Sequence, residues 1–313
     1  PFAGYTGTPS IALEGNEALG HLKAFNNYGF LGPDFTLEKG EKVIRIATLG
    51  GSTTASGYPE HMQNWLNKNK PNDSIQFEVY NFGMTGWNSA NSTANYVMNV
   101  RDFKPDYVVF HHAWNDEKVR DALEGDFRGD YSHSIKYFHE AEIPDKWPLR
   151  VSLIYRMLQD GYGSVPGWSM LETAMVKDRE RIEPFFQNEE ELKPYQRNVE
   201  TILNLADADN SKVVLTTQPH STDEGISMYW AHSHVDQCNE LMRGIAQSDS
   251  NSLFVDLDDM ITGKKDEFFK DLGHMHQEGV NFKAEEIGKS ILDDVFKVEE
   301  PVADSTEVLP DIL

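Results

Sequence analysis

The sequence predicts an α/β fold: a parallel five-stranded sheet with helices on both faces, three α/β/α layers in all. Three observations predict it. Short apolar, β-branched runs recur along the chain, the stretches between them carry apolar residues at helical spacing, and the two kinds of segment alternate. With 313 residues, 39% apolar and 11% aromatic, the chain is long enough to bury a large core, although length alone would also allow two domains.

The elements follow in order. Val43 to Leu49 is a β-branched run stopped by Gly50-Gly51, as a buried strand ending in a tight turn would be. Met62, Trp65 and Leu66 form one apolar stripe, so a helix follows, with Ser52 near its amino end. Ile75, Phe77 and Val79 alternate in a second strand, and Asp106 to Phe110 is a third. After a helix at Val199, Ile202 and Leu203 come a strand at Lys212 to Thr217 and a helix carrying Val235, Cys238, Leu241, Met242 and Ile245. A strand at Ser252 to Asp256 and a helix with Ala284, Ile287, Ile291 and Val295 complete the series. Residues 117–194 break the rhythm with Trp147, Tyr155, Trp168, Phe185 and Phe186 among prolines and charges, and are expected to be an insertion over the site or a decorated surface. The expected organisation is an N-terminal extension over 1–40, one domain over 41–297 and an acidic tail over 298–313.

Three distant stretches fit one catalytic centre. Gly50-Gly51-Ser52-Thr53 ends the first strand, Trp114-Asn115-Asp116 follows the third, and Asp271-Leu-Gly-His274 lies near the end of the chain. They offer a nucleophile, an amide donor and an acid-oriented base, which acyl transfer through a serine requires. Strand ends on one sheet edge are where open α/β folds place their ligands. Alone, each has a plainer meaning: Gly-Gly-Ser is also a capped turn, and Asp-x-x-His is also a surface pair.

Together these residues resemble the SGNH or GDSL-type serine hydrolases. Gly50-Gly51-Ser52-Thr53 is similar to the first block of that family, with Gly-Gly-Ser in place of Gly-Asp-Ser, a variant of one branch. Asn81 through Ser89 resembles the second block, and Ala113-Trp-Asn115-Asp116 the third, with alanine for glycine. Asp271-x-x-His274 and Gly279 resemble the last, and Asn27 to Gly32 resembles the lead-in of that branch. The likeness spans roughly residues 41–297. It implies flavodoxin-like strand order, a triad of Ser52, His274 and Asp271, and an oxyanion hole from the N–H groups of Ser52 and Gly86 and the Asn115 amide.

Composition narrows the function classes. The balance of 28 basic against 51 acidic residues, −23 in net charge, argues against binding nucleic acid or anionic lipid. No apolar run approaches the ~20 residues that span a bilayer. One cysteine, Cys238, permits no internal disulfide and sits in a packing stripe. The start at Pro1 without methionine leaves the compartment open between export after loss of a leader and the cytoplasm. His111-His112, His232-x-His234 and His274-x-His276 lack the carboxylate spacing of a zinc motif, and Gly263-Lys264-Lys265 lacks the rest of a phosphate loop, so neither metal nor cofactor is expected. Asn72 and Asn91 begin glycosylation sequons of a kind that arises often by chance.

The expected partner is a small-molecule or glycan ester. His111, His112, Trp114, Trp87 and Asn88 flank the expected site without a long aliphatic run, which suits a short acetyl-like ester of a polar, carbohydrate-like alcohol. An O-acyltransferase with the same triad, a lipid esterase or thioesterase, and a non-catalytic glycan-binding module are the alternatives. Oligomeric state is open.

Overall fold

The computed structural model describes residues 25–116, 128–131, 189–223 and 229–297. The acidic tail, residues 1–24 of the N-terminal extension and most of the 117–194 insertion, with all five of its singled-out aromatics, lie outside them.

Five strands, β1 (Val43–Gly50), β2 (Gln76–Asn81), β3 (Tyr107–His111), β4 (Lys212–Thr216) and β5 (Leu253–Val255), form one sheet in the order β2-β1-β3-β4-β5. Every pairing is parallel. This is the flavodoxin-like order expected above, whose crevice lies where the order reverses, between β1 and β3 at their carboxyl ends. There the register sets Gly50 opposite His111, so Ser52 and the 112–116 segment leave the sheet side by side.

The helices are α1 (Ser52–Ala55), α2 (Tyr58–Asn69), α3 (Ser89–Met98), α4 (Lys193–Ala208), α5 (Tyr229–Ser248), α6 (Leu257–Ile261) and α7 (Gln277–Val295). They cover both faces because successive strand residues bury on opposite sides. Ala47, Leu49, Val108, Phe110, Val213 and Leu215 pack against α3, α4 and α5, with Tyr96, Val199, Ile202, Cys238 and Met242. Ile46, Tyr107, Val109 and Val214 pack against α2, α6 and α7, with Met62, Leu66, Ala284, Ile287 and Ile291. Each large apolar side chain so enclosed contributes about 1.5–3 kcal/mol. Helices α2 and α7 touch closely, a Cβ on Gly288 meeting the Trp65 ring at 3.0 Å.

One expectation is corrected here. Ser52 does not lie on the amphipathic helix of Met62 and Leu66 but opens its own single turn, α1. Gly57, at φ 109°, ends that turn in the left-handed region and lets α2 start in a new direction at Tyr58. No helix among the described residues is long and apolar enough to cross a membrane.

Candidate active site

The turn after β1 is built by two glycines with different tasks. A Cβ on Gly50 would fall 2.8 Å from the His111 carbonyl and closer still to Thr54, so the strand could not pass into α1 beside β3. A Cβ on Gly51 would lie 2.4 Å from Asn115 Nδ2 and 3.0 Å from the Trp87 carbonyl. The bare Gly51 backbone therefore lets three loops converge next to Ser52.

Ser52 Oγ is 2.8 Å from His274 Nε2. His274 Nδ1 is 3.0 Å from both Asp271 oxygens, so Nδ1 carries the proton and Nε2 is left to accept from the serine, an assignment that follows from the bonding pattern. Burial alone would push the Asp271 carboxyl up. The backbone N–H groups of His274 and Gly273, at 2.8 and 3.1 Å, together with the imidazole, outweigh burial and hold it below the usual carboxylate range. The side chains of His274 and Asp271 are 46% and 56% exposed, so the three residues stand at an open rim.

A short antiparallel closure holds the base. Phe269 bridges Met275, Lys270 N–H donates to the His274 carbonyl at 2.8 Å, and His276 N–H donates to the Phe268 carbonyl at 2.7 Å. Buried Phe269, Leu272 and Met275 root this loop, and Ser221 N–H donates to the Leu272 carbonyl at 2.9 Å. Gly279, in the first turn of α7, admits it closely, since a Cβ there would meet Phe268 Cβ at 2.8 Å. The half-buried Trp114 indole lies against Gly273, where a Cβ would meet its Nε1 at 2.4 Å.

Asn115 donates one amide hydrogen to the Trp87 carbonyl at 2.7 Å, leaving its second without a partner among the described residues. Asp116, wholly buried, accepts the Ser89 N–H at 3.1 and 3.0 Å and the Ser89 hydroxyl as well. Burial pushes the Asp116 carboxyl up to about 7, against the pull of those Ser89 bonds. Asn198 donates to the Ser89 hydroxyl at 2.8 Å. The segment after Asn115 is thus tied to the start of α3, and Gly86, at φ 82°, turns the backbone just before it.

Four of the five residues expected to face substrate do not. His111 is buried, its Nδ1 2.8 Å from Thr216 Oγ1 and its Nε2 3.1 Å from Gln218 Nε2. His112 is buried with its Nε2 2.7 Å from Ser92 Oγ, and desolvation pulls it down to about 3. Trp87 packs in the core, and Asn88 caps α3 in a capping box with Asn91. Trp114 alone is partly exposed. Strand ends deliver residues to an edge, but successive side chains point in opposite directions.

Two residues near Ser52 escaped the sequence reading. Lys283 lies three after Val280 and four before Ile287, on the apolar face of α7, a spacing that marks an inward lysine. Gln218, just past β4, carries no comparable signal. Among the described residues one group, His220, Asp236 and Asp258, has ligand atoms close enough together for a cation. Its charges are already matched, His220 Nε2 lying 2.9 Å from Asp236 and Arg243 donating to Asp258 at 2.7 Å.

No protein-family model matches the chain, and no curated protein matches it in sequence. Solved structures do. A GDSL-like lipase from Bacteroides thetaiotaomicron superposes with TM-score 0.47 at 14% identity, over 83% of this chain and 93% of that one. A catalytic mutant of the acetylxylan esterase Axe2 from Geobacillus stearothermophilus superposes with TM-score 0.50 at 15% identity, over 82% of this chain and 96% of that one. At that similarity it is the fold, a parallel five-stranded sheet between two helical layers, that this chain shares with the esterase.

Proposed function

We propose that the chain is a serine esterase of the SGNH or GDSL type, working through an acyl-enzyme on Ser52. The single observation that carries the proposal is the unbroken series Ser52 Oγ, His274, Asp271, at 2.8 and 3.0 Å, at the carboxyl edge of the sheet. His274 Nε2 takes the Ser52 proton as Oγ attacks the ester carbonyl, and Asp271 stabilises the imidazolium that forms. The same imidazolium then protonates the leaving alcohol. Water, deprotonated by His274, releases the acid and restores the serine.

Charge on the carbonyl oxygen is met by the N–H of Ser52, the N–H of Gly86 and the free hydrogen of the Asn115 amide, donors of which each is worth about 3 kcal/mol of barrier. The bond from Asn115 to the Trp87 carbonyl supports this role, because it fixes the amide plane before substrate arrives.

The finer proposal is a short, acetyl-like acyl group on a polar, carbohydrate-like alcohol. Burial of His111, His112, Trp87 and Asn88 removes most of its original support and leaves Trp114 as the aromatic face beside the rim. The acetyl ester named for the esterase of the same fold favours it. A series of p-nitrophenyl esters from acetate to octanoate tests it. The expected kcat/KM is highest at acetate, and a steady climb toward octanoate would point to a lipid esterase or thioesterase. Product analysis with an added sugar acceptor separates hydrolysis from acyl transfer.

A further inference from the structure

Beneath the Ser52 turn lies a buried polar cluster that the acyl-transfer steps leave unused. Lys283 Nζ donates to the Thr53 carbonyl at 2.8 Å, lies 3.5 Å from His111 Nε2 and stands 4.6 Å from the centre of the Tyr58 ring. The lysine is enclosed with no acidic group beside it among the described residues, and burial pulls the ammonium down to about 7. Gln218 reaches the same residue from the other side, its Nε2 3.2 Å from Thr53 Oγ1.

The hydrogen-bond directions in this cluster are consistent. Thr216 Oγ1 donates to the Phe110 carbonyl at 3.0 Å and so accepts from His111 Nδ1–H. His111 Nε2 is then bare and accepts from Gln218 Nε2 at 3.1 Å. Gln218 is itself clamped, its N–H donating to Asn239 Oδ1 and its carbonyl accepting from Asn239 Nδ2, at 2.8 and 3.0 Å. Desolvation and the nearby Lys283 keep His111 uncharged.

An enclosed amine without an acidic partner costs stability, and an unbranched carbon chain would fill the same space. Nor does the Thr53 carbonyl depend on it for a partner, because Ser56 Oγ already donates there at 3.1 Å. What the amine adds is a second, rigid tie on the residue that follows Ser52. Helix α1 is one turn long and has little rigidity of its own.

We infer that Lys283 and Gln218 are positioning residues for the acyl transfer proposed above, holding Thr53 by its carbonyl and its hydroxyl so that Ser52 Oγ stays aligned with His274. The inference rests on that proposal. Removing the tie is expected to cost rate and to leave binding and folding nearly unchanged.

The test compares wild type, Lys283→Met and Ser52→Ala as full chains, with p-nitrophenyl acetate kinetics and thermal melts. Lys283→Met should lower kcat by about 10-fold or more with KM within about 2-fold. Its Tm should be equal or higher, since a buried amine with no acidic partner among the described residues is replaced by a thioether of similar length. A folded variant whose kcat falls less than about 5-fold, or whose loss lies in KM, overturns the inference. So does a loss of rate matched by a fall in Tm. If Lys283→Met does not fold, Gln218→Met decides by the same kinetic criteria. Wild-type turnover by Ser52→Ala would instead overturn the esterase proposal itself, whereas an inactive Ser52→Ala beside a fully active Lys283→Met overturns only the positioning role.

Discussion

Gly51 and Asn115 meet so closely that a Cβ on Gly51 would lie 2.4 Å from Asn115 Nδ2. This gives the glycine at position 51 a physical reason. The amide here sits directly over the residue that precedes the serine, bonded to the Trp87 carbonyl behind it. If Asn115 is the proposed oxyanion donor, Gly51→Ala should push the amide aside and lower kcat by about 10- to 100-fold with a smaller change in KM, because such a donor acts on charge that develops only in the transition state. Steady-state kinetics on p-nitrophenyl acetate check this, and an unchanged kcat would mean that Asn115 is not an oxyanion donor.

Direct truncation of the proposed donor is the companion measurement. Asn115→Ala should lower kcat by about 100-fold or more with little effect on KM. A loss confined to KM would make Asn115 a substrate contact and put the oxyanion hole elsewhere.

Within the base pair, His274→Ala should cost about as much rate as Ser52→Ala, because members of a triad act as a unit, and Asp271→Asn should be milder. The Asp271 carboxyl is held below its ordinary range, so the stability it contributes is present above its unfolded pKa and is lost as pH falls through the folded value. Were His276→Ala more damaging than His274→Ala, the base would have been misassigned. His276 is exposed and stands at the start of α7, with no serine partner among the described residues.

Buried His112 makes a separate prediction about acid. Its folded pKa, about 3, lies below its ordinary 6.5, so across that interval the unfolded chain binds the proton that the folded one refuses. Stability from this group therefore rises with pH between those values and is lost on acidification. Asp116, pushed up to about 7, runs the opposite way over an overlapping interval and lies 3.8 Å from His112 Nδ1, so the comparison reads the histidine together with its effect on that carboxyl. The Tm drop from pH 7 to pH 4.5 should be smaller in His112→Gln than in wild type, with KM for ester unchanged. An altered KM would return His112 to the substrate surface.

The strands were legible because β1, β3 and β4 are buried on both faces and so appear as β-branched runs: Ile46 and Ala47 point to opposite cores, as do Val108 and Val109. Less legible was the turn at Ser52, since one glycine, Gly57, separates two helical segments that periodicity alone joins. Ser52 was legible from the glycines that end β1, and Asp271 and His274 from their three-residue separation in the loop before α7. Spacing misdirected His111, His112, Trp87 and Asn88, because position along the chain fixes the edge they reach and not the side to which they turn. Lys283 stood on an apolar helical face in plain view, yet what it bonds, the carbonyl of Thr53, is fixed only by tertiary packing.

The central claim is that Ser52 is the nucleophile, and covalent trapping tests it most directly. Incubation with an organophosphate ester bearing a p-nitrophenyl leaving group, followed by intact-mass and peptide mapping, should give a single phosphoryl adduct on the peptide containing Ser52. Loss of p-nitrophenyl acetate turnover should keep pace with adduct formation, and Ser52→Ala should take up no label. Full inactivation with the adduct on another residue, or ester turnover that survives complete labelling of Ser52, would contradict the account.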